Sequence, residues 1–267
     1  MPKIQEPNNY FPMNTMQLYY REFGQGSPIL FLHGLFGFSD NLQTVAKGLA
    51  EHHWVITPDH RNHGRSPHAN THAYADMVED LRALLNHIGI PRAAFIGHSM
   101  GGKVAMQMAL SYPELVEQLV VIDIAPGQAT DGHSSLFEAM LSLDMGAVNA
   151  RSEAEAFLSA RITDVPTLQF LLKNITRHPD GSYSWKMNLP VLHAEYQNIL
   201  APVTGTPYEG PALFVRGSRS GYIQDEDMPL IRSLFPHAQL QTIEGAGHWV
   251  HAEKPAELLS VLNHFLG

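Results

Sequence analysis

The sequence predicts an α/β chain built on a mostly parallel sheet with helices on both faces. Short, continuous apolar runs recur along it, and such runs suit strands covered on both faces. Helical patterns alternate with these runs, the order expected of repeated strand–helix units. The loops of most unusual composition follow the apolar runs directly. In a parallel sheet that is the carboxyl edge, where ligands bind. At 267 residues the chain is long enough for one large domain with a sizeable core or for two small ones.

Taken in order, positions 1–14 contain three prolines and several asparagines, which predicts a loosely held start. Met16 to Phe23 reads as a strand that ends at the turn Gly24-Gln25-Gly26. Pro28-Ile29-Leu30-Phe31-Leu32 is a fully apolar strand running into His33-Gly34-Leu35-Phe36-Gly37. Asn41 to Glu51 has Leu42, Val45, Ala46 and Leu49 at helical spacing. Trp54-Val55-Ile56-Thr57 is the next strand, followed by a polar loop from Asp59 to Ser66. Tyr74 to Ile88 is a helix, with Met77, Val78, Leu81, Leu84, Leu85 and Ile88 on one face. Arg92 to Ile96 is a buried strand, and Gly102 to Leu110 is rich in good helix formers. Leu119 to Ile124, Ala212 to Arg216 and Gln239 to Ile243 are the remaining strands. Helices are expected near Asp227 to Leu234 and over Pro255 to Phe265.

One long interval, from Ala125 to Gly210, breaks the alternation. A structureless loop of that length is improbable in a compact domain. Ser152 to Arg161 and Val165 to Asn174 read as helices, and Tyr183 to Met187 as a short extended piece. The interval is therefore read as a helical cap, residues 126–209, inserted into a core of residues 1–125 and 210–267. Its apolar residues Leu136, Phe137, Met140, Leu141, Phe157, Phe170, Leu171 and Trp185 are candidates to line an acyl pocket or to pack the cap onto the core.

Composition narrows the chemistry. A formal net charge of −9 argues against a nucleic-acid partner, which needs a basic face. The absence of cysteine excludes disulfides, thiolate catalysis and cysteine-ligated zinc. The first eight residues lack the apolar core of a secretory signal, and no uninterrupted apolar stretch reaches the ~20 residues of a membrane span. These features lead to the expectation of a cytoplasmic protein.

The most informative segment is Gly97-His98-Ser99-Met100-Gly101, a G-x-S-x-G pattern between a strand and a helix. A serine on such a tight turn is forced outward at the strand's carboxyl end, and the small flanking residues let the backbone turn. The new helix points its free amides at the same spot. A nucleophilic serine needs a base, and the base needs a partner that fixes its tautomer. Of sixteen histidines, His248 in Gly245-Ala246-Gly247-His248-Trp249 is the leading base, ahead of nearby His251. His98 is expected to support the turn by hydrogen bonding. For the acid, the segment Gly217 to Ile223 offers no carboxylate. Asp123, in an apolar run that demands a partner for it, is preferred over Asp225 or Asp227. Two backbone amides should hold a developing oxyanion: Met100 and Leu35, with Phe36 as the alternative to Leu35. Asp59 and Arg61 are assigned to structural hydrogen bonds. His52, His53, His60, His63, His68 and His72 form a histidine-rich stretch without a helical metal-binding spacing or a completing carboxylate, so neither a metal nor another cofactor is expected.

Together these segments resemble the α/β-hydrolase family and, more narrowly, its YbfF-type esterases. The resemblance rests on His33 to Gly37, Asp59 to Ser66, Gly97 to Lys103, Val121 to Pro126 and Gly245 to Pro255, in order across nearly the whole chain. It implies Ser99, Asp123 and His248 as a catalytic triad under a helical cap. It also implies hydrolysis of small-molecule carboxylic esters with short to medium acyl groups, with acyl thioesters as a second class. Other serine chemistry on this scaffold, such as carbon–carbon bond hydrolysis or cofactor-free perhydrolysis, is the nearest rival, and a non-turnover ligand receptor is the rival from another class. Dehalogenases and epoxide hydrolases of the fold use an aspartate nucleophile, which Ser99 disfavours.

Overall fold

The computed structural model describes residues 16–267, so the proline-rich start at positions 1–14 lies outside the described residues. In chain order the elements are β1 (Tyr20–Phe23), β2 (Ser27–Leu32), α1 (Gln43–Leu49), β3 (His53–Pro58), α2 (Tyr74–Ile88), β4 (Ala93–His98), α3 (Met100–Ser111) and β5 (Val116–Ile122). There follow α4 (Ser134–Leu141), α5 (Arg151–Ser159), α6 (Val165–Leu172), β6 (Ile175–Arg177), β7 (Tyr183–Trp185), α7 (Leu189–Ala194) and α8 (Tyr196–Leu200). The chain closes with β8 (Ala212–Gly217), α9 (Met228–Leu234), β9 (Ala238–Ile243), α10 (Val250–Glu253) and α11 (Pro255–Leu266).

Seven strands form one sheet in the order β1-β3-β2-β4-β5-β8-β9. Every neighbouring pair is parallel except β1 with β3. The alternation of side chains along each strand separates two apolar layers. Leu30, Phe95, Leu119, Val121 and Phe214 face α2, α3 and α9. Ile29, Phe31, Ile96, Val120 and Val215 face α1 and α11. This two-sided burial is why the strands read as continuous apolar runs.

The structure moves several expected boundaries. Only Tyr20 to Phe23 of the expected Met16–Phe23 strand pairs with β3. Strand β4 runs two residues further than its apolar core, because Gly97 and His98 pair with Val121 and Ile122. Strand β5 stops at Ile122 rather than Ile124, since Asp123 turns into the left-handed region at φ 57°. The extended piece at Tyr183 is half of a two-stranded antiparallel sheet whose other half, β6, has no signal in a three-residue run.

Between β5 and β8 lie α4 to α8 and the small β6–β7 sheet. The chain enters and leaves this segment side by side. Ala129 N donates to Leu200 O at 2.9 Å, and Val203 N donates to Pro126 O at 3.0 Å. The buried Lys103 ammonium clamps both ends, donating to the carbonyls of Gly127 and Ala201 at 2.6 Å each and of Leu200 at 3.3 Å. Burial pushes the Lys103 amine down to about 8. Phe137, Met140 and Leu171 are fully buried, while Phe157 and Trp185 pack at the margin of that core. Leu141 is exposed. Among the described residues, no helix is long and apolar enough to cross a membrane.

The polar loop after β3 is held by a buried ion pair. Arg61 Nε lies 2.6 Å from Asp80 Oδ2 and Nη2 lies 2.8 Å from Oδ1, both side chains being almost wholly out of solvent. Breaking one member of such a pair strands a buried charge. Asp80→Asn should therefore lower stability by roughly 3–5 kcal/mol, read as a drop in the urea midpoint. An unchanged midpoint would contradict the assignment of this pair to the fold.

Candidate active site

Ser99 follows β4 and precedes the first residue of α3, with φ 53°. A non-glycine residue in that region is strained, and the surroundings enforce it. A Cβ at Gly97 would collide with the Gly101 carbonyl, and one at Gly101 would lie 2.5 Å from the carbonyls of Leu32 and His33. Glycine at both positions lets the helix start pressed against the strand ends. Ser99 N is tied to Ile122 O at 2.9 Å.

His248 reaches this turn from the loop after β9. Its Nε2 lies 3.1 Å from Ser99 Oγ, and its Nδ1 lies 2.7 Å from Asp123 Oδ2. Asp123 is fully buried. Oδ1 accepts from Gly217 N at 3.1 Å, and Oδ2 accepts from Ser220 Oγ at 2.5 Å as well as from His248. Because a carboxylate only accepts, Nδ1 carries the imidazole proton and Nε2 turns its lone pair toward the serine. Asp225 and Asp227 are occupied elsewhere. Asp225 pairs with Arg216 at 2.7 Å, and Asp227 accepts from Gln224 N at 2.8 Å.

Two contributors beside Asp123 and His248 carry no motif in the sequence. Ser220 stands in the Gly217–Ile223 segment that offers no carboxylate, and it serves Asp123 as a hydroxyl donor. Tyr222 stacks on the His248 ring, with centroids 3.9 Å apart at 24°. The only sequence signal for either is position after β8. His98 does hydrogen-bond as expected, but to the carbonyl of His248 at 2.8 Å, so it braces the histidine loop. His251 packs edge-on against His98 at 4.5 Å between centroids and lies away from Ser99's hydrogen bond.

The His33–Gly37 loop passes beside the serine. A Cβ on Gly34 would sit 3.2 Å from Ser99 Cβ. Gly37 N donates to Gly34 O at 2.9 Å, closing a turn with Phe36 at φ 61°, the left-handed position of a type II turn. His63 holds this turn. Its Nδ1 donates to Arg61 O at 3.0 Å, and its Nε2 accepts from Phe36 N at 3.3 Å. His33 does the same for its neighbour, donating from Nδ1 to Gly34 O at 2.9 Å and accepting from His60 N at 3.0 Å. The Phe36 amide is thus engaged. Asp59 accepts from Ser39 N at 2.6 Å and Arg65 N at 2.8 Å, a structural role as expected. Among the described residues no group of three or more His, Asp or Glu is placed to hold a metal ion.

Ser99 and His248 open onto a cavity of about 840 Å³ whose other walls include Leu136, Phe170, Leu171 and Trp249. Phe170 and Trp249 meet across it with ring centroids 5.4 Å apart. A second cavity of about 30 Å³ is also lined by Ser99, with Tyr74, Tyr196 and Ile199 among its walls.

A family model described as alpha/beta hydrolase fold matches residues 27–255. The chain belongs to the α/β-hydrolase family. It is 41% identical over 265 residues to a Danio rerio protein named sn-1-specific diacylglycerol lipase ABHD11, covering 96% of this chain and 83% of that protein. It is 37% identical over 241 residues to Escherichia coli esterase YbfF, covering 90% and 93%. Among solved structures, a marine microorganism esterase superposes with a TM-score of 0.92 at 41% identity, covering 94% of this chain and all of that one. These relatives span nearly the whole hydrolase chain, so the five motifs of the sequence lie within one continuous likeness.

The buried imidazoles make the hydrolase acid-sensitive. Burial holds His33 and His251 down to about 4 and His63 to about 3, and it holds His98, His60 and His72 well below the usual range. Below pH 6.5 the unfolded chain takes up protons that these folded-state groups refuse, so stability falls as pH drops toward 4. Each group costs about 1.4 kcal/mol per pH unit in that window. The urea midpoint should be clearly lower at pH 5 than at pH 7, and equal midpoints would contradict the buried neutral state of these side chains.

Proposed function

We propose that this hydrolase cleaves carboxylic esters through an acyl-enzyme on Ser99, with His248 as base and Asp123 as its acid partner. The observation that carries the reading is the continuous chain from Asp123 Oδ2 to His248 Nδ1 at 2.7 Å and from His248 Nε2 to Ser99 Oγ at 3.1 Å. Ser99 Oγ attacks the ester carbonyl as its proton passes to Nε2. The negative charge that develops on the carbonyl oxygen is held by the amides of Met100 and Leu35. Met100 is the first residue of α3, where a helix leaves its amides unbonded, and Leu35 stands in the adjacent turn while the Phe36 amide is taken by His63. The imidazolium, stabilised by ionised Asp123, then protonates the leaving alcohol. Water repeats the sequence to release the acid.

Residues 126–209 form the cap over this site in the proposal, set on a core whose described part is residues 16–125 and 210–267. The support is the clamp at its two ends by Lys103 and the contribution of its Leu136, Phe170 and Leu171 to the larger cavity. An apolar wall of this kind suits short to medium acyl esters, with thioesters as a second class. The esterase and lipase names of the relatives point the same way.

A panel of p-nitrophenyl esters of increasing acyl length tests the reading. Wild-type protein should show sustained turnover, and Ser99→Ala should abolish it while the far-UV spectrum and melting temperature stay unchanged. Turnover that survives in Ser99→Ala rejects the nucleophile. Asp123→Asn should lower kcat by about 10³- to 10⁴-fold, as expected when the imidazole tautomer is no longer held. A loss below about tenfold would show that another carboxylate does the work.

A further inference from the structure

Among the imidazoles on the wall of the larger cavity that the proposed reaction does not use is that of His133. His133 stands at the start of α4 and lines both cavities, as do Ser99, Leu35 and Tyr222. Its neighbours decide where its proton sits. Tyr196 OH donates its single proton to Asp131 Oδ1 at 3.0 Å, because an ionised carboxylate can only accept. Hydrogen bonds from the Ser134 hydroxyl and amide hold the Asp131 carboxyl down to about 2, so it is ionised at neutral pH. The Tyr196 oxygen therefore accepts from His133 N at 3.1 Å, from Gly132 N at 3.3 Å and from His133 Nδ1 at 3.2 Å. The ring proton is on Nδ1, and Nε2 carries a lone pair.

Among the described residues, Nε2 makes no hydrogen bond, and it is not one of the buried polar atoms shut away from the cavity. Burial and the nearby His248 hold the His133 imidazole down to about 4, so it stays neutral at working pH. Around it the wall is apolar, with the Phe36 ring edge-on at 5.8 Å and Leu136 close in sequence and on the same cavity. A neutral acceptor in such a wall favours a ligand that brings a donor and penalises one that covers it with carbon.

We propose that His133 is a specificity-determining residue whose Nε2 accepts a hydrogen bond from a hydroxyl on the alcohol half of the ester. This rests on the esterase reading above. The alcohol half is assigned because the leaving oxygen must take its proton from His248, and His133 lies close enough to His248 to feel its charge, both of them on the wall of the larger cavity. Substrates that fit best are then short-chain monoesters of a diol or similar alcohol, with the free hydroxyl two or three carbons from the ester oxygen.

The test compares kcat/KM for 2-hydroxyethyl butyrate and n-propyl butyrate, which differ only by hydroxyl for methyl. Wild-type protein should prefer the hydroxylated ester by about tenfold, the worth of one good neutral hydrogen bond. His133→Phe should bring the ratio to within about twofold of unity. His133→Leu, a second replacement without a ring acceptor, should do the same. A wild-type ratio near one, or a preference that survives either substitution, overturns the assignment. Cleavage of p-nitrophenyl butyrate separates the two claims. If that ester is turned over but the pair shows no preference, only the role of His133 fails. If none of the three esters is cleaved, the esterase reading fails and takes this inference with it.

Discussion

The site is organised by one buried carboxylate. Asp123 sits at the end of a central strand with no exposure to solvent, so its charge must be met by donors from the protein. Those donors come from two other strand ends, Gly217 at the end of β8 with Ser220 just after it, and His248 after β9. The demand for neutralisation thus draws three loops of the carboxyl edge to one point. It also sets the proton on Nδ1 of the imidazole, and that in turn leaves Nε2 free to face Ser99.

Backbone strain is concentrated at the same edge. The non-glycine residues with positive φ among those described are Phe36, Asn62, Ser99 and Asp123. Three of the four are the turn beside the serine, the serine itself and the carboxylate. Each is over-determined by its surroundings, through the His63 bond to the Phe36 amide, the Ile122 bond to the Ser99 amide and the Val215 bond to the Asp123 amide. Strain held by a rigid sheet edge is a common way to preorganise reacting groups. The neutral buried histidines behind the turn contribute to this rigidity at neutral pH and weaken it in acid.

Much of this was legible in the sequence because the sheet is buried on both faces. Runs such as Ile29 to Leu32 and Val120 to Ile122 announce strands without alternation, and the residues after them mark the site edge. Gly97 and Gly101 could be read as a tight strand-to-helix turn, and the lack of a carboxylate in Gly217 to Ile223 favoured Asp123. The roles of Ser220, Tyr222 and His63 were not legible, since a hydroxyl, a stacked ring and an accepting imidazole leave no spacing rule in the chain. Three-residue β6 was missed for the same reason: pairing across a hairpin, rather than periodicity, makes it a strand. Between β5 and β8, the candidates for pocket or core divide, with Phe137 and Met140 in the core, because apolar composition does not say which side of a helix faces a cavity.

The most direct test of the account is covalent labelling with a fluorophosphonate, followed by peptide mapping. The account predicts a single adduct on the peptide carrying Ser99, formed rapidly in wild-type protein and lost when His248 is replaced by alanine. An adduct on another residue, or one on Ser99 that forms equally fast without His248, would contradict the claim that this carboxylate–imidazole pair activates the serine.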